Sequence, residues 1–258
     1  WNSLVPKPDG IPSAIAKAFY IASSGRPGPV LIDITKDAQF ASLSYDYKKC
    51  QGFRSYNPSP RIDENKVKGA AELINNAKRP YILFGQGVIL SEAEKEFQAF
   101  VEKTGIPAAW TLLGLSALPT DHPLNVGMLG MHGNYGPNKL TNQCDVLIAV
   151  GMRFDDRVTG NLARYAKQAK VIHLEIDPAE INKNVKTDVP ILGDAKKSLQ
   201  MLIEQCHANE HTDWLEQFEE LNDLEYKKVI QNELNPDKEG LTMGEVIRRV
   251  NDLTDGDA

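Results

Sequence analysis

The sequence predicts an α/β fold in which parallel strands are covered by helices on both faces. Three observations predict it. From residue 61 onward, short apolar and β-branched runs alternate with segments of helical periodicity, the pattern of βαβ units and a parallel sheet. The runs YILFG (81–85) and DVLIAVG (145–151) are almost continuously apolar, as strands buried on both faces are. Each run ends in glycine, an acid or a charged cluster, and the carboxyl ends of strands are where open parallel sheets bind ligands.

Taken in order, IPSAIAKAFYIAS (11–23) has helical spacing, SGRPGP breaks it, and VLIDI (30–34) is a strand whose partners are expected upstream. Residues 36–60 hold no long periodic segment, and YDYKKCQGFRSYNPSPR reads as an extended linker. A helix is expected over 63–77 with Asp63 as its N-cap, then strand YILFG. SEAEKEFQAFVEKTG reads as a capped helix, with Ser91 as N-cap, Glu94 three residues on and Gly105 at its end. IPAAWT is a short strand, GMLGMHGNYG a long loop, PNKLTNQ a short helix and DVLIAVG a strand. KVIHLEID (170–177) is a strand, PAEINKN a helical turn, VPILGD a short strand and AKKSLQMLIEQC a helix. Two further helices fall at about 212–231 and 242–253.

Composition narrows the class. The 258 residues are 41% hydrophobic and 25% charged, with a net charge of -6. That is an ordinary globular balance with no basic stripe, which argues against nucleic acid as the partner. No apolar run reaches the length of a membrane span. Cys50, Cys144 and Cys206 are few and scattered, so no disulfide framework is expected and a reducing cytoplasm is. The chain starts Trp1-Asn2-Ser3 and ends in a helix with nothing after it to pack on, which suggests a piece of a longer protein. His207-Ala208-Asn209-Glu210-His211 matches a short zinc-peptidase pattern. It sits in a polar run where a helix ends, so no metal site is expected.

The strand ends carry Gly85-Gln86-Gly87, Thr111-Leu112-Leu113-Gly114, the glycine loop 127–136, Gly151-Met152-Arg153-Phe154-Asp155-Asp156-Arg157, Glu175-Ile176-Asp177 and Gly193-Asp194-Ala195. Glycine lets backbone N–H groups approach a pyrophosphate, an acid can accept ribose hydroxyls, and arginine pairs with phosphate or stacks on a flat ring. The two aspartates between Arg153 and Arg157 are expected to hold both guanidiniums. A dinucleotide is the ligand this convergence suggests. Each piece also has a plain reading: Gly-x-Gly as a tight turn with Leu90 at the third glycine position, the 153–157 cluster as a surface ion-pair network, Asp177-Pro178 as a helix start, Glu175 as a solvent-facing strand residue and His132 as an ordinary loop residue.

GRPGPVLIDITKDAQ, RPYILFGQGV, GMLGMHG, AVGMRFDDRVTG and HLEIDPAEINKN, in that order, resemble the catalytic subunits of the acetohydroxyacid synthase (acetolactate synthase) family across nearly the whole chain. The resemblance implies a three-layer, Rossmann-like central domain with a six-stranded parallel sheet that binds FAD. It implies that residues 1–46 are the tail of a domain binding the thiamine pyrimidine, 47–60 a linker, 61–207 the FAD domain, and 208–258 linker helices leading into a diphosphate-binding domain. By position it implies that FAD meets Arg54, Gly85, Gly87, Thr111, Leu112, Leu113, Leu129, Gly130, Met131, His132, Gly133, Gly151, Arg153, Asp155, Arg157, Val158, Glu175, Ile176, Gly193, Asp194 and Ala195. Met131, Asp156 and Arg157 resemble residues bordering the substrate channel.

Such a parent uses thiamine diphosphate and Mg2+ and releases CO2. It joins two pyruvates, or pyruvate and 2-oxobutyrate, in branched-chain amino acid synthesis. A homodimer or tetramer with a regulatory small subunit is implied. The family's catalytic glutamate is expected before Trp1 and its Gly-Asp-Gly…Asn-Asn motif after Ala258, since Gly256-Asp257-Ala258 is not that motif. The chain alone is therefore expected to be inactive. Pyruvate oxidase or oxalyl-CoA decarboxylase types, and a nucleotide-free structural domain, remain alternatives.

Overall fold

A computed structural model describes residues 1–237 and 240–256; Asp257 and Ala258 of the terminal tripeptide lie outside them. The chain opens with β1 (Asn2–Val5), α1 (Ile11–Ala22), β2 (Leu31–Ile34) and α2 (Lys36–Phe40). β2 pairs in parallel with β1, Leu31 opposite Asn2. The neighbour expected upstream is thus found within the chain. The polar start of NSLV hid it, because only Val5 of that strand is buried.

The main body follows as α3 (Glu64–Asn76), β3 (Pro80–Phe84), α4 (Gln86–Leu90), α5 (Glu94–Thr104), β4 (Ala108–Trp110), β5 (Asn125–Met128), α6 (Tyr135–Leu140), β6 (Val146–Val150), α7 (Asp156–Thr159), β7 (Lys170–Glu175), β8 (Val189–Leu192), α8 (Ala195–Gln205) and α9 (Thr212–Glu225). A π-helical turn (Tyr226–Ile230), α10 (Gln231–Leu234) and α11 (Met243–Leu253) complete the described chain. Among the described residues no helix is long and apolar enough to cross a membrane.

Six strands form one sheet in the order β5-β4-β3-β6-β7-β8, every pair parallel. Numbered within the sheet this is the doubly wound order, and the direction of strand addition reverses between β3 and β6. The sequence suggests five of these strands; β5 was missed, its last two residues being the first two of the expected loop 127–136. Its pairing to β4 slips between Ala108 and Ala109, and Gly127 at φ +110° interrupts any strand-like pattern.

Alternation along the strands splits the core in two. Ile82, Phe84, Ile148, Val150, Ile172 and Leu174 face α3, α5 and α8. Tyr81, Leu83, Leu147, Ala149 and Val171 face the opposite layer, where Trp214 and Phe218 of α9 are buried. All of β3 and β6 is buried, which accounts for their continuous apolar runs. Trp214 Nε1 donates to Pro80 O at 2.8 Å, so α9 is bonded to the start of the central strand.

Local signals performed unevenly. Asp63 caps α3 by accepting from Asn65 N at 2.9 Å, and Gly105 ends α5 in the left-handed region at φ +62°. Ser91 caps nothing: it follows α4, with its N–H bonded to Gly87 O, and α5 begins at Glu94 after Ala93. The extra short helix α4 displaces the expected capping box. PAEINKN forms turns rather than a helix, started by Asp177 Oδ1 accepting from Ala179 N at 2.9 Å. Residues 207–211 are a non-helical connection between α8 and α9, so the spacing of His207 and His211 does not place them on one helical face.

β3 and β6 end in direct backbone contact. A Cβ on Gly87 would sit 2.5 Å from Gly151 Cα, and one on Gly151, whose φ is +56°, would sit 2.6 Å from Gly87 Cα. Gly151→Ala adds backbone strain to overpacking, and is expected to lower unfolding free energy by about 2–4 kcal/mol. Urea titration of the variant against the parent chain checks this.

Candidate functional site

A cleft of about 760 Å³ opens above the β3–β6 switch point, within the size range of cofactor pockets. Of the residues implied by sequence, Gly87, Thr111, Leu112, Leu113, Leu129, Met131, His132, Gly151, Arg153, Asp155, Arg157, Val158, Glu175, Ile176, Gly193, Asp194 and Ala195 line it. They come from five different strand ends and the glycine loop.

Several implied residues lie outside the lining. Gly85 is packed beneath it, its Cβ position 2.6 Å from Met152 Cβ. Gly130 and Gly133 support the loop: Gly130 N donates to Asn138 Oδ1 at 2.8 Å, Asn138 Nδ2 returns a 2.8 Å bond to Gly130 O, and Gly133 N donates to Gly130 O at 3.0 Å. Asp156 is exposed at the first position of α7. Arg54 sits in the tight turn Phe53–Tyr56 within the linker. The arginine of the amino-terminal segment that lines the cleft is Arg26, with Gly25 and Pro27 beside it. Sequence reasoning read SGRPGP only as a helix breaker; an arginine set between glycine and proline just before a strand was the available signal. Gln86, Leu90, Ser91, Met128, Met152 and Leu174 also line the cleft.

The glycines act differently from the role expected of them. Gly85 N donates to Val150 O at 3.0 Å and Gly87 N to Gly151 O at 2.8 Å, so neither N–H is free for a phosphate. These residues let two strand ends touch. Gly193 is likewise crowded, its Cβ position 2.5 Å from Ile62 Cγ1.

The charge cluster after β6 is also simpler than expected. Arg153 NH2 pairs with Asp155 Oδ2 at 3.0 Å. Arg157 makes no ion pair among the described residues, and its NH1 lies 3.8 Å from Met131 Sδ. Asp156, at the start of α7, pairs with neither arginine. A pair as exposed as Arg153–Asp155 contributes at most about 1 kcal/mol. The other carboxylate oxygen, Asp155 Oδ1, is buried without a partner, which costs about 1–3 kcal/mol. Stability alone does not explain the arrangement.

Glu175, at the end of β7, is buried at 7% exposure rather than solvent-facing. Burial raises its carboxyl, while the N–H groups of Ile176 and Asp177, donating to Oε1 at 3.0 and 3.1 Å, pull it back. Asp194 Oδ1 accepts from Lys197 N at 3.1 Å and so caps α8. Arg26 NH1 reaches Asp177 Oδ2 at 3.0 Å and Glu180 Oε1 at 2.7 Å. At the other end Leu112 and Leu113, 67% and 61% exposed, present an apolar wall with Met131 and Leu90. The cleft therefore runs from acids and Arg26, past Arg153, to an apolar mouth. Among the described residues no cluster of three or more His, Cys, Asp or Glu could hold a metal ion.

This fold and cleft place the chain in a known class: it belongs to the thiamine pyrophosphate enzyme family, matching that family's central domain over residues 67–202. Among curated proteins it is similar to the probable acetolactate synthase large subunit of Methanocaldococcus jannaschii, 45% identical over 86% of this chain and 39% of that protein. It is 44% identical to the acetolactate synthase large subunit of Corynebacterium glutamicum over 81% of this chain and 33% of that protein. It is 39% identical to the acetolactate synthase isozyme 3 large subunit of Escherichia coli over 84% of this chain and 39% of that protein. The chain thus spans a third to two-fifths of the length of these relatives.

Beneath the cleft, His173 is fully buried on β7, with Nε2 donating to Met152 O at 3.0 Å and Nδ1 without a partner. Burial lowers its affinity for a proton, and the Met152 bond only partly restores it. Below pH 6.5 the unfolded chain therefore binds a proton that the folded chain refuses, so stability rises with pH there. Each unit of pH in that window changes it by up to about 1.4 kcal/mol. His173→Gln keeps a donor for Met152 O and is expected to flatten this slope below pH 6.5. Denaturant titrations at stepped pH would reveal an unchanged slope if His173 were not the source.

Proposed function

We propose that this chain is the central part of an acetolactate synthase catalytic subunit and that its switch-point cleft binds FAD. The observation that carries the reading is the order of the strand ends that line the cleft: β7 with Glu175, to whose side Arg26 is tied through Asp177 and Glu180, then β6 with Arg153 and Asp155, then β4 with Leu112 and Leu113 and β5 with Met131 beyond. Such an order suits an adenosine, a pyrophosphate and a flat apolar ring in turn. Glu175 and Ile176 would meet the adenosine end, Arg153 the pyrophosphate, and Leu112, Leu113 and Met131 the flavin ring. Arg26, rather than Arg54, would be the amino-terminal segment's contribution. FAD in this role is structural.

In the parent, one pyruvate is decarboxylated and its two-carbon unit joined to a second pyruvate or to 2-oxobutyrate, the first shared step of branched-chain amino acid synthesis. Thiamine diphosphate supplies the nucleophilic carbon for that reaction, held with Mg2+ by other parts of the parent. Residues 1–46 would belong to the pyrimidine-binding domain and the segment after α9 would lead toward the diphosphate-binding domain. Met131 and Arg157, in the cleft lining, and Asp156, exposed beside Arg157, would border the route of the oxo acid. The parent would work as a cytoplasmic homodimer or tetramer with a regulatory small subunit.

Calorimetric titration of the chain with FAD, and with NAD, ADP and CoA as controls, tests the cleft. Selective FAD binding is expected, weakened about tenfold or more in Arg153→Ala, as for loss of a charge-assisted bond. Tighter binding of ADP or CoA would move the chain to another branch of the family. Failure of both the chain and its full-length parent to take up FAD would overturn the reading.

A further inference from the structure

One wall of the cleft does not belong to the six-stranded sheet. It is the turn Gly25-Arg26-Pro27 between α1 and β2, and what holds that turn is the linker. Gly25 has φ +61°, and a Cβ there would sit 2.9 Å from Tyr56 Oη and 3.2 Å from Pro58 Cα. Tyr56 Oη donates to Ser24 O at 2.7 Å, and Ser24 Oγ lies 3.3 Å from the same hydroxyl. The Tyr56 ring stacks on Phe53 at 5.8 Å and meets Tyr20 of α1 edge-on at 5.8 Å. Lys17 Nζ lies 5.8 Å from the centre of the Phe53 ring. A linker that served only as a spacer would stay solvated; this one clamps an aromatic turn onto the end of α1.

Arg26 follows two residues after the clamped carbonyl. Its bonds to Asp177 and Glu180 both leave from NH1, and its Nε and NH2 have no partner among the described residues. Those carboxylates lie just beyond Glu175 and Ile176, the end of the cleft assigned above to adenosine. We infer that Tyr56 is a positioning residue for the cleft: its hydroxyl fixes the 24–27 turn and so aims the Arg26 guanidinium at the adenylate half of a bound dinucleotide. The inference rests on the FAD reading for its ligand and on the geometry alone for its mechanics.

Tyr56→Phe removes the hydroxyl and leaves the ring contacts, so the variant keeps its packing. FAD titrations of the full chain, Tyr56→Phe, Arg26→Ala and the double variant decide the matter. Tyr56→Phe is expected to weaken FAD about fivefold to tenfold, as for one lost hydrogen bond. At saturation the bound flavin should keep the fluorescence and absorbance it has in the unaltered chain, because the apolar mouth is untouched. The double variant should bind no more weakly than Arg26→Ala alone. A changed flavin spectrum, unchanged FAD affinity in Tyr56→Phe, or single effects that multiply in the double variant would each overturn the inference. If neither the unaltered chain nor its full-length parent takes up FAD, the FAD reading fails by itself. The same four proteins are then compared by urea unfolding without ligand: less-than-additive losses support the Tyr56–Arg26 coupling, and additive losses overturn it.

Discussion

The arrangement of the site depends on one close approach, the backbone contact between Gly87 and Gly151 where β3 and β6 end. Those strands are adjacent and their chains leave in opposite senses, so a crevice must open just above them. With a Cβ on either residue the strand ends would be pushed apart, because the atoms in the way are backbone. The contact uses the N–H groups of Gly85 and Gly87 internally. Any recognition in the cleft would thereby be displaced outward, to the next few residues and to segments arriving from elsewhere in the chain.

That displacement explains the odd chemistry of the cleft's middle. Arg153 and Asp155 form a half-solvated pair of small value, while half of the Asp155 carboxylate is buried and unbonded. The loop carrying Met131 and His132 is held by side-chain amides: Asn138 bonds Gly130 in both directions, and Asn134 Oδ1 accepts from Met128 N at 2.9 Å. Glu225 of α9 in turn accepts from Asn134 Nδ2 and Tyr135 N. The helix that closes the second core layer thus also fixes one rim of the cleft.

Much of this was legible in the sequence because burial on both faces leaves a plain signature. The runs at 81–84 and 146–150 could hardly be anything but central strands, and the residues that follow such strands are a short list. β1 and β5 escaped because neither is buried as a whole: Leu4 stands exposed, and β5 pairs through a bulge beside a left-handed glycine. The place of Arg26 at the cleft was not legible either, because the sequence does not say which turn the tertiary fold swings over a cleft; the resemblance pointed to Arg54 in the linker. The uneven pairing of Arg153 and Arg157 was equally hidden, since it follows from where a four-residue helix begins. The crowding of Gly85, Gly87 and Gly151 by one another could not be read from a Gly-x-Gly pattern, which looks the same whether the space is left for a ligand or for a second strand.

Arg26 and Asp177 stand 151 positions apart in the chain, whereas β3 and β4, which frame the floor, are separated by one helical crossover. Closing so long a loop adds little entropy cost beyond a shorter one, yet the contacts it returns at the cleft are partly solvated ion pairs of modest worth. The floor and the wall are therefore unequal in strength. The floor is the costlier of the two to open, since its strands are buried in the core while the ion pairs of Arg26 are partly solvated. Such an inequality would let a long ligand enter sideways, under the weaker wall, without threading lengthwise between rigid sides.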